Sequence, residues 1–176
     1  MIFTNSKLNN TSKIICLGKY NPYRIRGERN PNFDRYSELI LDVKESNKSS
    51  IDIFFDRINS HLSYGIAICV VPSHDPEKTS SGIKYLAQRL CENNRIDATS
   101  CLVRHTKIDK LAHGGDRSKD VHLKSIRCEN NGLVYNEEVL LLDDVTTTHN
   151  SLFACQSILL SAGAASVQCL ALARTV

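Results

Sequence analysis

Residues 66–71 form an almost unbroken apolar run closed by Pro72, the pattern of a strand covered on both faces. Ser80 or Ser81 then opens a helix whose apolar face is Ile83, Leu86, Ala87 and Leu90. Residues 101–103 end a second strand and residues 139–142 form a third. Leu152, Cys155, Leu159 and Ala162 mark a helix stopped by Gly163, and residues 167–173 close the series as a fourth strand. Strand, helix, strand, long connection, strand, helix, strand predicts an α/β fold, a parallel sheet with right-handed crossovers and helices on both faces. In such sheets a ligand sits outside the carboxyl ends of the strands.

The pattern upstream is different. Residues 1–13 are rich in Asn, Ser, Thr and Lys, a composition that predicts a frayed, flexible tail. Residues 14–17 are apolar, and Leu39, Leu41 and Val43 alternate with Glu38 and Asp42, which predicts two strands of a peripheral hairpin-like unit. Ile51, Phe54, Phe55, Ile58 and Leu62 recur at helical spacing behind Ser49 and Ser50, so a capped amphipathic helix is expected there. The chain thus divides into a tail, a cap with its first helix (residues 14–60) and a core (residues 61–176), the last two forming one domain.

Composition narrows the class. With 176 residues, 41% of them hydrophobic, the chain suits one compact domain. No stretch is apolar enough to span a bilayer and the N-terminus lacks a secretory apolar block, so a soluble, cytoplasmic protein with no membrane partner is expected. Seven cysteines, an odd number without a CxxC pair, suit buried free thiols in a reducing compartment. A net charge of +3 and the absence of Trp argue against a nucleic-acid partner.

The chemistry concentrates where the third core strand ends. Leu140, Leu141 and Leu142 run into Asp143 and Asp144, then Val145, Thr146, Thr147, Thr148, His149, Asn150 and Ser151, and at once into the helix of Leu152. A hydroxyl-rich turn entering a helix N-terminus is a ready phosphate site, because free N–H and O–H groups converge there. Two carboxylates would repel a phosphate, but they accept hydrogen bonds from sugar hydroxyls or hold a hydrated Mg²⁺. Phosphate on one side and diol or metal on the other describes a ribose 5-phosphate.

Hydrophobics followed by Asp-Asp-Val-x-Thr-Thr-Gly-x-Thr/Ser are the signature of the type I phosphoribosyltransferases, and residues 140–151 resemble it at every position but one. The wording around it is most similar to the small competence-associated (ComF-like) branch, and the resemblance covers about residues 60–176. It implies a type I phosphoribosyltransferase-like sheet with a small N-terminal hood, with residues 61–176 the core that binds phosphoribosyl pyrophosphate (PRPP). Asp143 and Asp144 would bind the ribose hydroxyls and hold Mg²⁺ through water and PRPP, while Thr146, Thr147, Thr148, His149, Asn150 and Ser151 would wrap the 5-phosphate. Ser73, His74 and Asp75, after the first core strand, fall where the family has its pyrophosphate turn. Residues 104–122 would be the mobile loop that covers the site, carrying Arg104, Lys107, Lys110, Gly114, Gly115, Arg117 and His122, with Arg117 and His122 beside the acids in catalysis.

The implied reaction is displacement of pyrophosphate at the anomeric carbon by a base or amine the sequence does not identify, with Mg²⁺ and cations neutralising the leaving group. The resemblance also implies a homodimer. His149 stands where the family has glycine, which permits positive φ and close approach of backbone to phosphate. Either the turn relaxes, with His149 itself donating to phosphate, or binding weakens. Two further readings stand beside the transferase. One is a regulator that senses PRPP or a nucleotide without turnover. The other is a phosphate- or nucleic-acid-directed interaction module built on Lys19, Tyr20, Tyr23, Arg24, Arg26, Arg29 and Arg35.

Overall fold

The structure, a computed structural model, describes residues 1–108 and 118–176. It is an α/β fold whose central sheet is parallel. The strands of that sheet are β1 (Ile15–Cys16), β2 (Lys19–Tyr20), β5 (Ala67–Val70), β6 (Ile96–Asp97), β9 (Glu138–Thr146) and β10 (Ser166–Thr175). Their order is β1-β10-β9-β5-β6, with β2 continuing beside β10. Two small antiparallel pairs lie apart, β3 (Arg24–Ile25) with β4 (Glu28–Arg29), and β7 (Leu102–Arg104) with β8 (Ile126–Cys128).

The helices cover both faces, as the alternation within β9 demands. Leu140 and Leu142 join a core made with α1 (Arg35–Lys44), α2 (Lys48–Asn59) and α3 (Gly82–Cys91). Val139 and Leu141, one residue out of phase, join the opposite core under α5 (Asn150–Ser161), against which α4 (Lys119–Ser125) packs. The order of connections matters for function. From β5 the chain crosses through α3 to β6 on one side, and from β9 through α5 to β10 on the other. The carboxyl ends of β5 and β9 therefore flank the point where the strand order reverses, where a crevice opens between diverging crossovers.

Several sequence expectations need correction. Residues 1–13 are no frayed tail: Ile2 and Phe3 are buried, and Phe3 bridges to Leu62. The buried Gln168 accepts from the Asn10 N–H (3.0 Å) and donates to the Lys13 carbonyl (2.8 Å), pinning the segment to the sheet. Residues 14–17 and 39–43 do not form a hairpin, because β1 pairs with β10 and residues 35–44 are helical. Asp34 caps that helix, its carboxylate accepting from Ser37 N–H at 2.8 Å, and Leu39, Ile40 and Val43 are its buried stripe. The next helix is capped by Asn47 rather than by a serine. Residues 101–103 are not the second strand of the parallel sheet either. That place belongs to β6, while β7 turns away to pair with β8 and so holds together the two ends of the connection between them.

Candidate functional site

A cleft of about 720 Å³ opens at the carboxyl ends of β5 and β9. It gathers most of the residues expected from sequence: Asp143, Asp144, Thr146, Thr147, Thr148, His149, Ser151, Ser73, His74 and His122. Because neighbouring residues on a strand point to opposite faces, the two acids at the end of β9 serve opposite layers. Asp143 continues the phase of Val139 and Leu141 and meets α5, accepting from the Ser151 hydroxyl at 3.3 Å. Asp144 continues the phase of Leu140 and Leu142 and faces α1, with Lys44 Nζ 3.9 Å from its Oδ2.

Their environment is electrostatically unfavourable to two charges. Burial, reinforced by the adjacent Asp144 carboxylate, pushes the Asp143 carboxyl up to about 8, against the opposing pull of the Asp144 N–H (2.9 Å), Lys44 and Ser151. Asp143 is only partly covered, so this costly carboxylate opens onto the cleft. Beside it Thr146 is buried, and its Oγ1 has no hydrogen-bond partner, the one such side-chain atom among the described residues. A buried hydroxyl left without a partner costs about 1–3 kcal/mol, so the site favours any ligand that supplies one.

The turn that follows is held from both sides. Thr147 and Thr175 hydroxyls lie 2.9 Å apart, tying the turn to the end of β10, and Phe153 N–H donates to the His149 carbonyl (3.0 Å) to begin α5. His149 has φ of 66° and ψ of −2°, the left-handed conformation that glycine adopts freely. The turn has therefore not relaxed. The imidazole packs edge-on to Phe153, centroids 6.1 Å apart, and burial followed by the nearby Arg174 guanidinium holds it below its ordinary value. It makes no capping hydrogen bond to the helix. The backbone geometry a glycine would give is thus retained with an aromatic anchor added.

The second wall is the turn after β5. Val71 N–H donates to the Leu142 carbonyl (2.9 Å), carrying the pairing with β9 one residue past the strand, and Pro72, Ser73 and His74 then line the cleft. Asp75 sits around the corner in a smaller cavity of about 160 Å³ and pairs with Lys107 at 2.7 Å, which holds its carboxyl below the usual carboxylate range. Lys107, expected on the ligand, does not line the larger cleft. Arg104 does not line the larger cleft either. It is 3% exposed, and its guanidinium donates to the Ser73 carbonyl and to Ser125 Oγ (2.6 Å) and lies 3.3 Å from His122 Nδ1. It fixes the β5 turn to the β7–β8 unit, and with it the buried His122, which does reach the cleft. Asn150 begins α5 without lining the cleft, and Arg117, Lys110, Gly114 and Gly115 lie outside the described residues.

Sequence reasoning expected a hood from residues 14–60 but did not place Lys44, Ser81 or Gly82 at the site. Tyr20 and Pro22 from the segment around β2, Lys44 from the last turn of α1, and Ser81 and Gly82 from the start of α3 all line the cleft. Ser81 caps α3, accepting from Lys84 N–H at 3.4 Å, so two helix N-termini face one cavity. Gly82 is demanded by packing: a Cβ there would lie 1.7 Å from the Val43 carbonyl oxygen. Reading residues 35–44 as a helix was the missing signal, since Asp34 before an i, i+1, i+4 apolar set announces one.

Two carboxylates, a hydroxyl-lined turn, two helix N-termini and a bound-in histidine equip the cleft to take an anion on its Thr side and a polyol or hydrated cation on its acidic side. Comparison with known proteins adds no relative: no family model matches the chain, and no curated protein matches it.

Proposed function

We propose that the protein binds PRPP with Mg²⁺ in this cleft and transfers the phosphoribosyl group to a small base or amine with release of pyrophosphate. The observation that carries the reading is the continuous course of residues 143–151: an acidic pair at the end of the central strand, a hydroxyl turn with its left-handed residue, and a helix N-terminus, all at the strand-order reversal. The resemblance of this stretch to the type I phosphoribosyltransferase signature supports it, as does the unpartnered Thr146 hydroxyl beside the turn.

The residues fit a Mg²⁺–diphosphate ligand. Among the described residues no set of three or more His, Cys, Asp or Glu side chains converges to hold a metal alone. Asp143 and Asp144 therefore suit a cation that brings its remaining ligands as water and diphosphate oxygens, the habit of Mg²⁺. Bound there, the cation would neutralise the departing pyrophosphate. The chain's own groups do the rest. Thr146, Thr147, Thr148 and Ser151 hold the 5-phosphate, the acids accept from the ribose hydroxyls, and the Ser73–His74 turn offers backbone N–H groups to the diphosphate. His122, held by Arg104, closes the side of the cleft nearest the β7–β8 unit.

Pyrophosphate release from PRPP and Mg²⁺ across a panel of bases and amines tests turnover, and calorimetry with PRPP tests binding. We expect binding that requires Mg²⁺ and is lost in Asp144→Asn. Binding without release would identify a PRPP sensor on the same site; absence of any PRPP or ribonucleotide binding, with Asp144→Asn unchanged, would reject the reading.

A further inference from the structure

Residues 73–81 separate two spaces. Ser73, Lys78 and Ser81 line the cleft and also the smaller cavity of about 160 Å³, whose far wall is built from Thr99, Ser100 and Arg104. Neither Asp143 nor Asp144 reaches that cavity. Its lining is cationic: Lys78, Lys84 and Arg104 stand against one carboxylate, Asp75, which Lys107 already neutralises at 2.7 Å. The wall is held in place. The buried Arg104 donates to the Ser73 carbonyl and to Ser125 Oγ, and Lys84 Nζ donates to the Thr79 carbonyl at 3.1 Å. Thr99, 4% exposed, spends its backbone N–H on the Asp97 carboxylate at 3.0 Å, while its side chain lines the cavity beside Ser100.

We infer that this cavity is a second anion site, separate from the cleft and independent of the PRPP reading, and that it takes one tetrahedral oxyanion, a phosphate group. Size decides the class. A volume of 160 Å³ is the room of about five waters and lies below the roughly 300 Å³ from which pockets for whole organic ligands begin, so neither a nucleotide nor PRPP fits inside. Charge decides the sign. A phosphate dianion gains attraction from three cations, and those in a partly buried wall are screened less than charges in open solvent, whereas a ligand ammonium would meet three like charges. The Thr99 and Ser100 hydroxyls supply donors to its oxygens. Because Ser73 and Ser81 line both spaces, an ion held here ties residues 73–81 to residues 99–104 and braces one wall of the cleft.

Calorimetry on the whole chain with inorganic phosphate tests this, with phenyl phosphate as a second probe. We expect inorganic phosphate to bind, and Lys84→Met and Thr99→Val each to weaken it roughly fivefold, since each removes one charge or one donor and neither residue lines the cleft. Lys84 is partly exposed on α3, so its substitution spares the core and carries the test alone if Thr99→Val fails to fold. Phenyl phosphate binding with the same sensitivity would identify the phosphate group of a larger molecule as the ligand, and its failure to bind would identify the free ion; either result upholds the site. Absence of phosphate binding at millimolar concentration would overturn the inference. So would binding that is unchanged in Lys84→Met and Thr99→Val, or that falls only in Thr147→Val, which would put the ion on the threonine turn of the cleft.

Discussion

Asp143→Asn should make the ligand-free protein more stable, and more so as the pH rises. With its carboxyl pushed up to about 8 from an ordinary 3.8, Asp143 keeps a proton in the folded state that the unfolded chain has already lost. Below about pH 4 both states are protonated and the residue contributes nothing. Between pH 4 and 8 the folded state binds more protons than the unfolded, so folding stability falls with rising pH by up to ~1.36 kcal/mol per pH unit. Four such units set a ceiling of about 5 kcal/mol, and cleft water reaching the half-covered carboxyl reduces the expected difference to about 2–4 kcal/mol. Asparagine is neutral at every pH and its oxygen can still accept from the Asp144 N–H. Urea unfolding from pH 4 to 9, with chelator and reductant present, should show Asp143→Asn matching wild type near pH 4 and exceeding it by that margin near pH 8. Curves that stay parallel across the range would refute the account, because the wild-type carboxyl would then titrate as it does in the unfolded chain.

Other perturbations probe the remaining walls. His149→Gly removes a side chain from a left-handed position costing about 1 kcal/mol but also removes the contact with Phe153. With the imidazole gone from the cleft wall the phosphate can approach the turn more closely, so PRPP should bind severalfold more tightly while the melting temperature moves little; calorimetry showing weaker binding would make the imidazole itself a ligand contact. Gly82→Ala forces a Cβ onto the Val43 carbonyl and must drive α1 from α3, costing about 2–3 kcal/mol or more in chemical denaturation and shifting Lys44 and Tyr20 from the cleft. Arg95→Ala tests a purely structural cation. This buried guanidinium donates to the carbonyls of Asn59, Leu62, Ser63 and Leu90, so its loss should cost about 3 kcal/mol in urea melts with PRPP affinity unchanged in the folded fraction.

The sheet was legible wherever burial on both faces leaves a continuous apolar word: residues 66–71, 139–142 and 167–173 all lie within or around observed strands. The acidic pair and threonine turn were legible for the same reason, since chemistry that departs from such a strand has nowhere else to go. Residues 35–44 were not, because Leu39, Leu41 and Val43 imitate period two when Ile40 is overlooked, and misreading them hid Lys44. Arg104 illustrates a different limit. In the sequence it is a cation opening a charged loop, and only the antiparallel pairing of β7 with β8, a contact between segments more than twenty residues apart, shows that it is buried beneath Ser73. Ile2 and Phe3 likewise disappear into the core because Gln168, far along the chain, tethers the residues that follow them. No helix among the described residues is long and apolar enough to cross a membrane.

The pairing of β9 with both neighbours links the fidelity of the cleft to that of the core. Sliding β9 by a single position would exchange the destinations of its odd and even side chains, sending Leu140 and Leu142 beneath α5 and presenting Asp143 to α1. No conformer can misassign the two carboxylates without also scrambling both hydrophobic layers. Selection against the one error is selection against the other, so the leucines, which touch no ligand, decide which acid faces which helix.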